Sequence, residues 1–512
     1  MTQMTVRRMP RLRMRPRLVL GPVLAAALLT LGVSVPAVAR APGGGSAWGG
    51  GLAWGGCPAG TPGADGTVPP RDPREQCAVV AVPRDYRDPA AGTIRLAVSR
   101  IRTADPGQRR GVLLVVPGGP GGSGLDYPSR MAGLLPAAVL RSYDLVGFDE
   151  RGVGNSAPVH CDLPAADRAA AVIYPFPAAD GSIAGNLAYA REVADRCAAA
   201  GADQAGVSTA NSARDIDRIR AALGLRRISY LGSSYGTYLG EVYATLFPDR
   251  TDRVVLDSVV PPGGEQQALG MVGLGAEQSF PDLAAWLAAQ DAALHFGSTP
   301  AEVRATYFRL AAKLDAAPVG RLTGNAFRTL TYASLVGKVY YPLAARAWQL
   351  AAGQAAPAAG QGTARPTASP TAIPTVLPDN FVAAQDAVLC GDSAWPRDPG
   401  YYAARTAADR IRYPLTNGMP GNVWPCAFWH GEPGEPPVRV GSTPGPRNVL
   451  LLQNLRDPDT PYAGARQTLA AFGRRAAMAS FDASGHGMDF TDPAVAAPFT
   501  RFLLTGLLPE GG

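Results

Sequence analysis

The stretch Ile228–Gly240, read as Ile-Ser-Tyr-Leu-Gly-Ser-Ser-Tyr-Gly-Thr-Tyr-Leu-Gly, constrains this chain more than any other. A short apolar run leads into Gly232-Ser233-Ser234-Tyr235-Gly236, and a small-residue helical pattern continues to Pro248. Strand, sharp turn and helix in that order put a serine at the turn. A G-x-S-x-G sequence does chemistry only in such a setting. The turn leaves no room for large side chains at the flanking positions and lifts the central serine above the sheet. Ser234 is therefore the candidate nucleophile. The bare pattern also arises by chance, so its meaning depends on what the remaining chain brings to the same edge.

Composition narrows the setting. With 512 residues, 46% hydrophobic and 17% charged, the chain can bury a large core and is not of the disordered class. Of the formal net charge of +7, six charges belong to Arg7, Arg8, Arg11, Arg13, Arg15 and Arg17, which leaves +1 for everything else. Basicity confined to one end gives no reason to expect a nucleic-acid partner. Those arginines precede the apolar stretch 18–35 and then Ala37-Val38-Ala39. A basic segment, an apolar segment and a small-x-small site read as a secretory signal over 1–39, with Arg7-Arg8 raising a twin-arginine route. An uncleaved anchor is the alternative, since the stretch is nearly long enough to span a bilayer. No later segment has that character, so the mature chain is expected to lack an integral span and to be secreted, with association with the cell envelope as the alternative.

Six cysteines (Cys57, Cys77, Cys161, Cys197, Cys390, Cys426) fit an exported protein. None forms a C-x-x-C pair, and only four histidines accompany them, so no metal or other cofactor is expected. Six cysteines allow fifteen pairings. Their spacing falls into three sequential couples, each closing a loop of a few tens of residues and worth about 3 kcal/mol.

Along the chain, residues 40–76 read as a flexible leader. Residues 77–82 and 94–102 alternate as a hairpin. Continuous apolar runs at 111–116 and 143–148 read as strands buried on both faces. The first enters Pro117-Gly118-Gly119-Pro120-Gly121-Gly122-Ser123-Gly124 and the second Asp149-Glu150-Arg151-Gly152-Val153-Gly154-Asn155-Ser156. Residues 211–223 form an amphipathic helix with Ser212 and Asp215 as its capping box. The Ser234 unit follows, then a strand at 253–260. Strands alternating with helices predict a doubly wound, mostly parallel sheet over 77–262. From 263 to 445 helical repeats dominate, interrupted by a low-complexity loop at 352–378, and one helix opens on Thr299-Pro300-Ala301-Glu302. Strands return at 448–453 and 477–481, within 446–512. The middle block is thus a large, mainly helical cap inserted between core strands.

Serine is a weak nucleophile and needs a base held by an acid. Asp457 follows the strand at 448, and His486, in Gly485-His486-Gly487, follows the last strand. In an open α/β sheet both loops emerge at the carboxyl edge where Ser234 sits. The order Ser, Asp, His is that of the α/β-hydrolases. Asp459 and Asp257 stand as alternatives for the acid, while Asp482 reads as a strand end. His160, His295 and His430 lack the glycine-flanked loop setting of His486. The oxyanion hole calls for two backbone N–H groups: Tyr235, just after the nucleophile, and Gly119, with Gly118 second, because Pro120 has none. A phosphate-cradling role for the glycine-rich loop is disfavoured, since no G-K-[ST] follows.

These motifs, together with Val255-Leu256-Asp257, Asp457-Pro458-Asp459-Thr460-Pro461, Cys390-Gly391-Asp392 and Trp424-Pro425-Cys426, resemble the secreted tripeptidyl aminopeptidases of actinobacteria. More broadly they resemble α/β-hydrolases of the prolyl aminopeptidase type, over roughly residues 75–508. The resemblance implies Ser234, Asp457 and His486 as the triad, sequential cysteine pairing, and removal of short peptides from free N-termini. Holding a substrate ammonium in a dry site requires a carboxylate; Glu265, Glu277 and Glu150 are the candidates. A peptide or a small ester is the expected partner, acting on a monomer. A secreted carboxylesterase with the same triad, or a non-catalytic wall-binding protein on this scaffold, are the competing readings.

Overall fold

Eight strands build one sheet: β1 (Gln76–Pro83), β2 (Thr93–Ile101), β3 (Gly111–Val116), β4 (Tyr143–Phe148), β5 (Ile228–Ser233), β6 (Thr251–Asp257), β7 (Val449–Arg456) and β8 (Ala476–Ser484). The structure, a computed structural model, describes residues 52–60, 68, 70–169, 174–202, 206–354 and 376–509. The expected signal at 1–39 and most of the low-complexity loop at 352–378 lie outside the described residues. Strand order is β1-β2-β4-β3-β5-β6-β7-β8. β2 pairs antiparallel with both neighbours, and every pair from β4 to β8 is parallel. The chain belongs to the α/β-hydrolase fold class.

The parallel strands are apolar without a break because both faces are covered. Val112, Leu114 and Val116 of β3 join the apolar cluster on one face, with Ile216, Leu239 and Phe472 from helices Thr209–Ala222, Tyr235–Leu246 and Tyr462–Phe472. Leu113 and Val115 point the other way, to Val139 and Phe499 from helices Ala137–Ser142 and Pro493–Thr505. The strand order reverses between β3 and β5, with β4 on the far side of β3. A crevice opens at the carboxyl ends of strands where the order reverses. The Gly118 and Ser234 loops both leave the sheet there.

Two local expectations are corrected. The helix after residue 207 begins at Thr209, and its N-cap is Ser208, whose extended backbone lets its hydroxyl accept from Asn211 N–H. Ser212 is inside the helix and buried, because the Thr209 N–H is already taken by Asp392 and pulls the helix start upstream. Within the leader, Gly55 exchanges two 2.9 Å backbone bonds with Cys77, and Arg100 lies over the Trp54 ring. That part is therefore held to β1. The disulfides are Cys57–Cys77, Cys161–Cys197 and Cys390–Cys426.

Between β6 and β7 the helices divide in two. Val272–Ala288, Pro300–Ala316, Gly324–Ser334 and Tyr341–Ala352 surround their own aromatic cluster of Phe280, Tyr307, Phe327 and Trp348. Thr299 and Glu302 close a complete capping box. Helix Asp379–Asp392 instead packs Val382, Val388 and Cys390 into the sheet's own cluster, fixed there by Cys390–Cys426. Among the described residues no helix is long and apolar enough to cross a membrane.

Candidate active site

Ser234 sits at the turn between β5 and helix Tyr235–Leu246 with φ 56° and ψ −127°, a conformation that costs a non-glycine residue about 1–3 kcal/mol. The turn tolerates it because neighbouring backbones close in. A Cβ on Gly232 would stand 2.2 Å from the Gly236 carbonyl oxygen, and one on Gly236 would stand 2.6 Å from that of Pro117. Ser234 N–H donates to the Asp257 carbonyl at 2.9 Å, and the Tyr230 hydroxyl donates to the Gly236 carbonyl at 2.6 Å. The strain is stored where the hydroxyl must project.

His486 and Asp457 meet. The imidazole Nδ1–H donates to the Asp457 carboxylate at 3.0 and 3.1 Å, and Asp457 is fully buried. The same carboxylate accepts from Asp459 N–H, Thr460 N–H and the Thr460 hydroxyl at 2.9, 2.9 and 3.0 Å. Four donors on one carboxylate hold it still. Burial pulls the His486 imidazole down, but the carboxylates of Asp457, Asp459 and Asp257 outweigh it and raise the group above its ordinary value. Asp257, the alternative acid, accepts instead from the Ser233 hydroxyl at 3.0 Å, and burial pushes it up to about 6. Asp459 accepts from the Tyr332 hydroxyl, and Asp482 pairs with Arg456.

The histidine loop is pinned at every residue, a feature that sequence reading missed. Asn454 Nδ2 donates to the carbonyls of Gly485 (2.9 Å) and Gly487 (3.3 Å). Gly485 N–H donates to Arg456, His486 N–H to Val336 of the helical insertion, and Gly487 N–H to the Ser258 hydroxyl. The one sequence signal was a buried-length polar residue, Asn454, at the carboxyl end of an apolar strand.

Tyr235 opens its helix, and the first N–H groups of a helix have no intrahelical partner. Gly119 lines the space above Ser234 with φ 135°, and a Cβ on Gly118 would stand 2.5 Å from that of Ser234. The Gly118–Gly124 loop is held from below by Asp149, which accepts from the Ser123 hydroxyl (2.6 Å), Leu125 N–H (3.0 Å) and Asn155 N–H (2.8 Å). Arg151, buried in a bidentate 2.7 Å pair with Asp215, anchors the segment carrying Asp149.

Ser234 borders two cavities. One, about 300 Å³, is lined by Val260, Leu269, Tyr332, Phe381 and Trp424, with the carboxyl groups of Glu265 and Asp459. The other, about 1120 Å³, is open and contains His486. Glu265 Oε1 is buried without a hydrogen-bond partner. Burial, with Asp392 and Asp459 nearby, pushes its carboxyl up to about 8. The other two candidate acids are placed elsewhere. Glu277 pairs with Arg304 and accepts the Leu415 N–H, so its charge is already matched inside the insertion. Glu150 lies beneath the site, accepts from the Tyr235 hydroxyl at 3.4 Å, and is pushed by burial up to about 7. Neither lines the two cavities. Among the described residues no cluster of His, Cys, Asp and Glu is arranged to hold a metal ion.

A family model described as the alpha/beta hydrolase fold matches residues 111–365, and one described as TAP-like protein matches residues 416–512. Over 459 residues the chain is 36% identical to a tripeptidyl aminopeptidase of Streptomyces lividans, covering 84% of this chain and 82% of that one. It is 30% identical to the serine protease Hip1 of Mycobacterium tuberculosis, over 85% of this chain and 86% of the relative. It is also 31% identical to carboxylesterase B of Mycobacterium tuberculosis, with 85% of each chain covered.

Proposed function

Because the chain belongs to the tripeptidyl aminopeptidase family of α/β-hydrolases, we propose that this serine hydrolase is an exported aminopeptidase that removes short peptides, tripeptides by its relatives' names, from free N-termini. The observation that carries the reading is the pair of unequal cavities at Ser234. His486 lines the larger one, and the smaller one holds a buried carboxyl oxygen without a partner, Glu265 Oε1.

In the proposed reaction the Ser234 hydroxyl adds to the scissile carbonyl carbon while His486 Nε2 takes its proton. Asp457 keeps the imidazole in the tautomer that makes this possible and stabilises the imidazolium. The N–H groups of Tyr235 and Gly119 receive the oxyanion. His486 then protonates the departing amine, the C–N bond breaks, and the N-terminal portion remains as an ester on Ser234. Water, deprotonated by the same histidine, releases it. The substrate's α-ammonium sits against Glu265 in the smaller pocket, with Asp459 beside it. A carboxyl raised by burial is the acid that gains most from an arriving cation, since pairing removes the cost of leaving it alone.

Export follows from the 1–39 signal and is in keeping with three disulfides, and the insertion over the serine acts as a cap that admits a chain end and excludes folded polypeptide. The mostly apolar lining of the smaller pocket and the carboxylesterase B relative favour a second reading, hydrolysis of a small ester. Hydrolysis of an unblocked tripeptide p-nitroanilide and of its N-acetylated form separates the two. The aminopeptidase loses the blocked substrate; an esterase-type site cuts both alike.

A further inference from the structure

The direction in which a peptide must lie follows from one chemical requirement. The group that takes the serine proton must give it to the leaving nitrogen, so the leaving chain lies on the histidine side of the nucleophile. His486 borders the cavity of about 1120 Å³ and is absent from the lining of the smaller pocket of about 300 Å³. The acyl portion therefore has the small, carboxyl-bearing pocket and the leaving chain has the large cleft.

The cleft's surface is not that of an ordinary solvent channel. Val339 and Leu134, from two separate parts of the chain, are 48% and 42% exposed and both line it. Partly exposed Phe481 and Met488 belong to the same lining. The cleft's rim carboxylates are engaged locally: Asp482 pairs with Arg456, Asp489 accepts from Thr491, and Asp492 caps helix Pro493–Thr505. Alongside the cations Arg130 and Lys338 and polar side chains such as Tyr127 and Asn454, the cleft offers an incoming chain the apolar area of Val339, Leu134, Phe481 and Met488, in one lining with Ser234 and His486. Val336 joins the two features, since its carbonyl accepts the His486 N–H while the residues after it form the cleft wall.

We propose that this cleft is a leaving-chain subsite that selects unfolded polypeptides with an apolar residue immediately after the cut bond, Val339 and Leu134 covering that side chain. The inference rests on the aminopeptidase reading, which fixes what lies on the other side of Ser234. It makes a p-nitroanilide an incomplete substrate, because its leaving group fills little of the cleft.

The test uses the full chain and two unblocked hexapeptides that differ only at residue four, leucine against glycine, with products identified by mass. Wild type cuts after residue three with about a tenfold preference for leucine in kcat/KM. In Val339→Ser combined with Leu134→Ser the leucine-to-glycine ratio falls to within about twofold. Both residues are exposed, so the substitutions spare the core, and a ratio taken within one enzyme cancels any general loss. Equal rates for the two peptides in wild type, or a preference that survives the double substitution, overturns the subsite. The N-acetylated hexapeptides report separately on the other reading. If they are cut at the same bond as fast as the free ones, the aminopeptidase assignment fails, and the leucine-to-glycine ratio still judges the cleft.

Discussion

The two halves of the site differ in how complete they are. On the catalytic half the acid and the histidine loop are held in place: Asp457 receives four donors, and Gly485, His486 and Gly487 each give their N–H to a fixed acceptor. On the binding half Glu265 Oε1 is buried and unpartnered. Rigid pre-organisation serves a transition state whose charges appear at known places. An unsatisfied carboxyl serves a ligand that brings its own donor. The contrast teaches that one half is finished before substrate arrives and the other is finished by the substrate.

The contrast can be broken from either side, starting with the largest effect. Ser234→Ala abolishes turnover, and Asp457→Asn lowers kcat by about 10⁴-fold with folding intact by circular dichroism. Asp257→Asn, at the competing acid, costs less than about tenfold. If the two losses exchange places, the acid is misassigned.

Asn454→Leu tests the rigid half without touching a reacting atom. It removes the donor shared by Gly485 and Gly487 at similar volume, and a small misplacement of the imidazole costs about 10²-fold. The loss belongs in kcat, with KM unchanged, measured on the unblocked tripeptide p-nitroanilide. A rise in KM alone contradicts a positioning role.

Glu265→Gln tests the waiting half. Loss of a buried charge partner costs about 2 kcal/mol or more, so kcat/KM for free peptides falls about 30-fold or more while cleavage of simple esters stays near wild type. The smallest effect belongs to Asp459→Asn, read on the pH profile. The histidine must be neutral to accept the serine proton, so carboxylates that raise it move the acidic limb of kcat/KM to higher pH. Removing one moves that limb down, and the variant keeps a larger share of its maximal rate at pH 6. A limb that stays put removes Asp459 from the electrostatics of the site.

How much of this was legible in the sequence depended on whether the cause was local. The runs at 111–116 and 143–148 coincide with β3 and β4 because burial on both faces leaves an uninterrupted apolar signature. The loops that carry Ser234, Asp457 and His486 could be placed on one sheet edge from strand order alone. The start of helix Thr209–Ala222 could not be placed, since it turns on Asp392, which is 183 positions away from Thr209 in sequence. Glu277 and Glu265 look alike in sequence. Only the fold gives one an arginine, Arg304, and leaves the other facing a cavity. Asn454 was hidden for the same reason, because its two acceptors lie on another strand's loop. Which apolar cluster the helix Asp379–Asp392 joins is likewise a tertiary fact, invisible to its periodicity.

The central claim is that Ser234 takes up the N-terminal portion of the substrate and releases the rest toward His486. Intact-mass analysis after a rapid acid quench with an unblocked tripeptide p-nitrophenyl ester tests it most directly. The account predicts a transient mass increase equal to the tripeptidyl group, mapped by fragmentation to Ser234 and absent from Ser234→Ala. Product formation with no adduct, or an adduct mapped to Ser233 or another residue, would contradict it.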